Sequence, residues 1–405
     1  MEAINKSNNN FEQCIKCTVC TVYCPVLKVN PDFPGPKHGG PDEERLRLKN
    51  PYFYDEALKL CLNCKRCEVA CPSNVKIGDI IQSARIKYSK KKPKVRDFIL
   101  ANTDLMGTLT TPFAPIVNPI LKLKLTRSVL DGVLSIDHRR IFPKYSHGTF
   151  EGWMKKQAAK QKTFAKQVSF FHGCYVNYNN PQLGKDLVKI FNALGYGVQL
   201  LRKEKCCGVA LISNGLINQA KKQGTVNIES IRESVLEKNM PVVATSSTCT
   251  FTLRDEYPHL LGLNNSDVRD HIELATRFIY RLMTTSDIVQ KLKFKDDRIK
   301  VAYHVPCHME KLGWSYYTVE LLKLIPNIDL KMLNPNCCGI AGTYGFKKEN
   351  YATSQSIGAP LFDEIDNSDI DFVVSDCETC KWQIDMSTSK ECVHPISIIA
   401  NALVD

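Results

Sequence analysis

Two runs of four cysteines, each closed by a proline, constrain this chain more than anything else in its 405 residues. The first is Cys14-x2-Cys17-x2-Cys20-x3-Cys24-Pro25 and the second Cys61-x2-Cys64-x2-Cys67-x3-Cys71-Pro72. A tight loop can present three thiolates at x2 intervals to one cubane cluster, whereas the fourth, after x3, points away to a partner cluster. The spacing therefore predicts two [4Fe–4S] clusters with crossed ligands: Cys14, Cys17, Cys20 and Cys71 on one, and Cys61, Cys64, Cys67 and Cys24 on the other. Zinc is the competing reading. Its sites usually take paired C-x2-C units and admit histidine, which two identical four-cysteine runs ending in proline do not fit. Clusters ligated by protein on all sides leave no open iron for a substrate, so electron transfer is the expected task.

The other ten cysteines lie after residue 165 and outline an internal repeat. Cys174, Cys206-Cys207-Gly208 and Cys249 recur as Cys307, Cys337-Cys338-Gly339 and Cys380, at offsets of 133, 131, 131 and 131. Cys377 of the second copy has Ser246 as its counterpart, again at 131. A period this long means two copies of a domain rather than a solenoid. Each copy alternates short apolar runs with helix-period stretches. Strands are expected at Val168–His172, Val198–Leu201, Met240–Ser246, Lys300–Val305, Leu330–Leu333 and Phe372–Ser375. Helices are expected at Gly184–Leu194, Ile217–Glu237, Thr318–Leu324 and Tyr351–Ile365. That alternation predicts α/β copies with parallel pairing and cysteines at strand ends. The expected whole is an α+β multidomain chain: a helical ferredoxin-like domain over 1–90, with helical flanks at Tyr54–Lys59 and Val75–Lys87, a basic amphipathic connector over 91–165, and α/β repeats over 166–290 and 291–405.

Adjacent thiolates sit poorly on one zinc ion but can bridge neighbouring irons, and the glycine allows positive φ or close backbone approach. Three readings stand for these Cys-Cys-Gly sites: iron–sulfur clusters, a vicinal-disulfide switch, or cysteines packed as small hydrophobes. Cluster binding is better supported for Cys307, Cys337, Cys338, Cys377 and Cys380 than for Cys174, Cys206, Cys207 and Cys249, because Ser246 is a hard and rarely ionised ligand. Cys392 has no counterpart and reads as structural. His172, His304, His308 and His394 lie near these motifs, where a lone histidine is more often structural than a ligand. No Gly-x-Gly-x-x-Gly follows a strand and no P-loop occurs, so flavin, dinucleotide and nucleotide binding are not indicated.

Charge is concentrated in the cysteine-free stretch. Residues 81–166 hold 18 Lys and Arg against 5 Asp and Glu, while the net charge of the whole chain is +12. A local basic excess marks a docking surface. It includes the run at 85–96 and Arg139, Arg140, Lys144, Lys155, Lys156, Lys160, Lys162 and Lys166, with apolar runs at Phe113–Val117 and Ile120–Leu125 between them. One reading is a solvated connector. The other is an interfacial segment, with its cations on anionic head groups and Phe113, Ile116, Val117, Ile120 and Leu121 in the acyl boundary. No nucleic-acid motif accompanies the charge. No uninterrupted apolar stretch reaches transmembrane length, and Met1–Asn10 lacks the apolar core of an export signal.

Three segments carry a resemblance. Cys-Ile-Lys-Cys-Thr-Val-Cys at 14–20, Pro-Gly-Pro-Lys-His-Gly-Gly-Pro-Asp-Glu-Glu-Arg-Leu-Arg-Leu-Lys at 34–49, and the run from Cys61 to Ile81 resemble the C subunits of bacterial anaerobic glycerol-3-phosphate dehydrogenases. More distantly, the Cys-Cys-Gly copies resemble iron–sulfur subunits of heterodisulfide reductase and of glycolate and lactate oxidation systems. The first resemblance implies a non-catalytic electron-transfer subunit in an anaerobic respiratory, glycerol-metabolising complex. A flavoprotein pair would oxidise sn-glycerol 3-phosphate, and this subunit would pass the electrons to menaquinone and tie the pair peripherally to the cytoplasmic face of the inner membrane. It departs from a full ligand set at Ser246. The rival readings are a heterodisulfide-reductase-like or 2-hydroxy-acid oxidase subunit, a second Cys-Cys-Gly copy that is itself catalytic, and a docking scaffold.

Overall fold

The computed structural model describes residues 10–89, 93–285 and 292–404. Most of the N-terminal segment read against an export signal, and Lys90, Lys91 and Lys92 of the basic run, lie outside the described residues.

Each Cys-Cys-Gly copy is built on a four-stranded parallel sheet. The first has β1 (Lys166–Phe171), β2 (Tyr196–Leu200), β3 (Val242–Ala244) and β4 (Ile272–Leu274), in the order β2-β1-β3-β4. The second has β5 (Ile299–Tyr303), β6 (Ile328–Met332), β7 (Phe372–Val374) and β8 (Glu391–Val393), in the order β6-β5-β7-β8. Register runs Val168↔Val198 and Phe170↔Val243 in one sheet, and Val301↔Leu330 and Ala302↔Val373 in the other. Val168, Phe170, Val242 and Val243 are wholly buried, because helices cover both faces of a parallel sheet and leave no polar side to alternate with. The six expected strands are present within two or three residues. β4 and β8 were not anticipated, since three residues show no periodicity.

The copies pack about a pseudo-twofold. Pro181–Ala193 of the first lies on Pro395–Ala402 of the second, and Ala275–Thr285 of the first on Ser315–Lys323 of the second. One apolar core containing Phe191, Phe278, Ile279, Leu321, Leu322 and Ile399 spans the joint. Pro181 at the first helical position and the Asn180 side chain, which accepts from the Leu183 N–H at 3.3 Å, start one of these helices. Backbone bonds cross between the strand ends that carry the cysteines. Ser247 N–H donates to the Asp376 carbonyl at 2.9 Å. His394 Nδ1 accepts from Ile396 N–H at 3.1 Å, so its Nε2 carries the proton and donates to the Thr245 carbonyl at 3.0 Å. The two cysteine sets are thereby held face to face.

The helical N-terminal region is organised by Ile77–Tyr88, whose Ile77, Ile80, Ile81 and Ala84 join Val26, Phe33 and Leu58 in a separate core. Cys337, Tyr344 and Ile357 of the second copy complete that core, so the region is docked rather than tethered. Arg66 fixes the contact, donating to Glu310 at 3.0 Å and to the Pro335 carbonyl. Asn63 donates to Glu256 of the first copy at 2.8 Å, and Gln82 to the Ile212 carbonyl at 3.1 Å. Lys65, fully buried between two cysteines of the second run, meets Asp79 at 2.5 Å, and this ammonium together with His259 holds the Asp79 carboxyl well below its usual range despite burial.

Between 91 and 165 the chain forms helices Val95–Ala101, Thr103–Thr110, Ala114–Lys122, Lys124–Leu134 and Phe150–Gln161. Phe150 and Met154 of the last are buried in the core of the first copy. Part of the basic charge is internal, which corrects the inclusion of Arg140 among the cations of a docking surface. Arg140 is fully buried, bonded to the Gly345 carbonyl, Gln383 and Ser354 and lying 4.8 Å from the Tyr351 ring centroid. Arg139 pairs with Asp137 at 2.7 Å, and Arg96 with Glu349 at 2.7 Å. Arg140 and Arg96 fasten the connector to the second copy, and Arg139 adds a contact at 3.9 Å from the Tyr351 ring centroid.

Candidate metal centres and the cavity between the repeats

The two N-terminal runs share one backbone device. Lys16 and Thr18 flank Cys17 with φ of 59° and 62°, and Asn63 and Lys65 flank Cys64 with φ of 56° and 63°. Left-handed backbone at non-glycine residues costs roughly 1–2 kcal/mol each, and four such residues at matching positions curl both loops so that three thiols converge. The short helices Val19–Val22 and Arg66–Val69 then carry the chain away to Cys24 and Cys71. Cys14, Cys17, Cys20 and Cys71 line one small cavity, and Cys24, Cys61, Cys64 and Cys67 line a second. The fourth cysteine of each run thus stands among the first three of the other. Burial pushes the Cys24 thiol up to about 12 and the Cys64 thiol up to about 11. Asn63 N–H and Val75 N–H point at the sulfurs of Cys61 and Cys71, both at 3.4 Å. Four converging soft donors with amide bonds to sulfur fit an iron–sulfur cube. Cys17 is exposed whereas Cys67 is buried and Cys64 faces the repeat cysteines, so one centre lies at the surface and the other toward the repeats.

All nine repeat cysteines, and Cys64 with them, line a single cavity of about 480 Å³. In the first copy the sulfurs of Cys174 and Cys206 are 3.7 Å apart, and Cys207 and Cys249 adjoin them. In the second, the Cys338 and Cys380 sulfurs are 3.3 Å apart, with Cys337 and Cys377 alongside and Cys307 on the side toward Cys64. The glycines of both motifs are left-handed, φ 86° at Gly208 and 83° at Gly339, and a Cβ at Gly339 would stand 2.1 Å from the Ser354 carbonyl oxygen. Ser246 caps the helix Ser247–Phe251, accepting from Cys249 N–H at 3.2 Å and donating to Glu378 at 2.8 Å. Its hydroxyl is engaged where Cys377 presents a thiol.

The histidines separate cleanly. His394 uses both nitrogens on backbone groups, and His308 stacks on Phe251 with its nitrogens at Thr248 and the Asn63 carbonyl. His172 lies against Glu204 and the Gly173 carbonyl. Only His304, of these four, comes together with thiols: one ring nitrogen and the sulfurs of Cys338 and Cys380 all lie within 4.8 Å of one another. Cys392 packs wholly buried on β8 against the sheet core.

The connector helices roof the cavity. Val117, Leu121, Leu130 and Leu134 line it from Ala114–Lys122 and Lys124–Leu134. This corrects the placement of Val117 and Leu121 in the outward set. Phe113, just before the first of these helices, and on their other faces Ile116 and Ile120 and then Leu125, Val129 and Val133, recur at i+3 or i+4 spacing and are exposed, up to 75% at Leu125 and 76% at Val133. No helix among the described residues is long and apolar enough to cross a membrane.

Comparison with known proteins settles the family. The chain is 62% identical over 397 residues, 98% of its length and 100% of the other's, to the C subunit of anaerobic glycerol-3-phosphate dehydrogenase of Escherichia coli. The chain belongs to this family of C subunits. Its residues 10–75 match a 4Fe-4S dicluster domain, and 168–254 and 301–385 each match a cysteine-rich domain model. The B subunit of the fumarate reductase (CoM/CoB) of Methanothermobacter marburgensis is 22% identical over 95% of the chain and 70% of that protein. A probable glycolate oxidase iron–sulfur subunit of Bacillus subtilis is 24% identical over 72% of the chain and 68% of its own length. The chain is thus an iron–sulfur electron-transfer protein with a helical N-terminal region and two α/β repeats.

Several residues at the site escaped the sequence reading. Asp104, on a roof helix, accepts from Cys206 N–H at 2.6 Å, and burial raises its carboxyl to about 7. Glu378 is half-buried among the thiols of both copies, and desolvation likewise raises its carboxyl to about 7. Its signal was available: it occupies the x2 gap of Cys377-x2-Cys380, where the first copy has Ser247. Nothing local marked Asp104, which reaches its partner across 102 residues.

Proposed function

We propose that this chain carries electrons from the flavoprotein subunits of an anaerobic glycerol-3-phosphate dehydrogenase to the membrane quinone pool. Two [4Fe–4S] clusters would be held by Cys14, Cys17, Cys20 and Cys71 and by Cys61, Cys64, Cys67 and Cys24. A further iron–sulfur centre would be held by Cys307, Cys337, Cys338, Cys377 and Cys380, with Cys174, Cys206, Cys207 and Cys249 as a weaker fourth set. Such clusters supply one-electron carriers. The observation that carries the reading is the placement of Cys64, which belongs to the inner N-terminal set and also lines, beside Cys307, the cavity of the repeat thiols under an apolar roof, while Cys17 of the outer set is exposed. Ile15, Val22 and Tyr23 are exposed around the outer loop, an apolar patch suited to a protein donor. In native membranes gently solubilised without oxygen, glycerol 3-phosphate is expected to reduce this subunit's clusters, seen by electron paramagnetic resonance, whereas lactate and glycolate leave them oxidised. Reduction by a 2-hydroxy acid instead would keep the relay and discard the substrate.

The roof helices support peripheral attachment to the cytoplasmic face of the inner membrane. A helix of a soluble domain needs one apolar face, and these have a second, flanked by exposed Lys122 and Lys124. That combination suits an anionic lipid surface. Changing Leu125, Val129 and Val133 together to serine removes about 3 kcal/mol or more of apolar burial in lipid and touches nothing in the cavity. Co-sedimentation with anionic vesicles should fall about 100-fold with the melting temperature unchanged. Vesicle binding at the wild-type level would remove these helices from the contact.

A further inference from the structure

The insert at 34–49, which joins the two cysteine runs, supplies no thiol. We propose that it forms, together with Asp55, a site for a divalent first-row transition metal, held by His38, Glu43 and Asp55. One donor atom of each, an imidazole nitrogen and two carboxylate oxygens, lies within 4.8 Å of the other two. The backbone brings them together. A Cβ at Gly39 would stand 2.5 Å from Leu58 Cδ2, and one at Gly40 2.8 Å from Ile77 Cγ2, so the turn His38–Asp42 lies directly on the turn Glu56–Leu60. Asp55 caps that second turn, accepting from Ala57 N–H at 2.8 Å, and Glu43 opens the helix Glu43–Lys49.

A second observation points to a cation. The Glu43 side chain is fully buried; its Oε2 accepts from Arg47 at 2.6 Å, while its Oε1 has no hydrogen-bond partner. Buried carboxylate oxygens are ordinarily paired. Arg47 is already shared, since it also donates to Glu44 at 2.7 Å and to the Phe53 carbonyl at 3.0 Å. The Asp55 amide favours the charged Glu43 carboxylate, whereas the Asp55 carboxylate beside it opposes that charge. Arg47 thus fixes Glu43 from behind and leaves Oε1 for an ion. One imidazole with two carboxylates and no thiolate suits Mn²⁺, Fe²⁺ or Zn²⁺. His38 is exposed, so its ring can turn onto the ion, and water fills the remaining positions. An ion here would brace the insert against the segment that enters Cys61.

The test titrates the full chain, purified anaerobically with its clusters, with Mn²⁺, an ion that thiolates hold poorly. Free Mn²⁺ is counted by its room-temperature electron paramagnetic resonance, which binding broadens and to which fast-relaxing clusters add nothing. The wild type is expected to retain a single Mn²⁺ per chain. His38→Ala, at an exposed position, and Glu43→Gln, which keeps the shape of the side chain, should each weaken binding about tenfold or more with iron content unchanged. His38→Ala keeps the test decisive should Glu43→Gln misfold. Mn²⁺ should also slow tryptic cleavage after exposed Lys49 and Lys59 in the wild type and not in His38→Ala. No retained Mn²⁺, several weakly held ions per chain, or an affinity unmoved in His38→Ala overturns the site. Retention of the ion with cleavage unchanged at both lysines overturns the brace.

Discussion

Replacing Cys71 by alanine should empty the centre built on Cys14, Cys17 and Cys20, on a loop more than forty residues earlier, and spare the one whose run it terminates. Cys24→Ala should do the reverse. Each variant is expected to lose about four irons and four labile sulfides per chain and one of two low-field cluster signals. The argument is the crossing itself: Cys71 shares a cavity with the first run, and Cys24 shares one with the second. A subsidiary effect follows from backbone strain. Lys16 and Thr18 hold positive φ at roughly 1–2 kcal/mol apiece, and a cluster bound on both sides of them is what offsets that cost. Cys71→Ala should therefore loosen the loop around Lys16 and open it to trypsin, while the loop around Lys65, whose ammonium is clamped by Asp79 at 2.5 Å, stays resistant. Loss of the Cys61–Cys64–Cys67 centre in Cys71→Ala, or unchanged iron in either variant, would refute the crossed arrangement.

Sequence and structure agree where the signal is local and part company where it is not. Cysteine spacing is a statement about a dozen residues, and the repeat is a statement about register, so the thiols and the two α/β copies were both legible. Strands β1, β3, β5 and β7 announced themselves because central parallel strands are buried on both faces, as Val168, Phe170 and Val243 are. What composition cannot convey is which side of a helix faces what. Phe113, Ile116, Val117, Ile120 and Leu121 look equivalent in an apolar run, yet Val117 and Leu121 line the cavity while the other three are outside. Arg139 and Arg140 add equally to a basic count, but one is a half-exposed partner of Asp137 and the other is sealed between Gly345, Ser354 and Gln383. The face-to-face joining of the two copies depends on Ser247, Asp376, His394 and Thr245, ordinary residues made important by a pseudo-twofold that no window of sequence contains.

That joining makes the two copies inequivalent as conductors, and Cys338→Ala tests it. The second copy adjoins the inner N-terminal centre through Cys64 and Cys307, with Arg66 between them bonded to Glu310. The first copy has Ser246 engaged in capping and lacks a fifth thiol. Electrons leaving the N-terminal centres should therefore meet the second copy first. In the assembled complex Cys338→Ala is expected to leave both N-terminal clusters reducible by glycerol 3-phosphate and to cut quinol formation by about 100-fold. Cys207→Ala, at the matching position of the first copy, should cut it less. Equal losses of quinol formation in both variants would make the copies parallel branches, and a larger loss in Cys207→Ala would reverse the order of the relay.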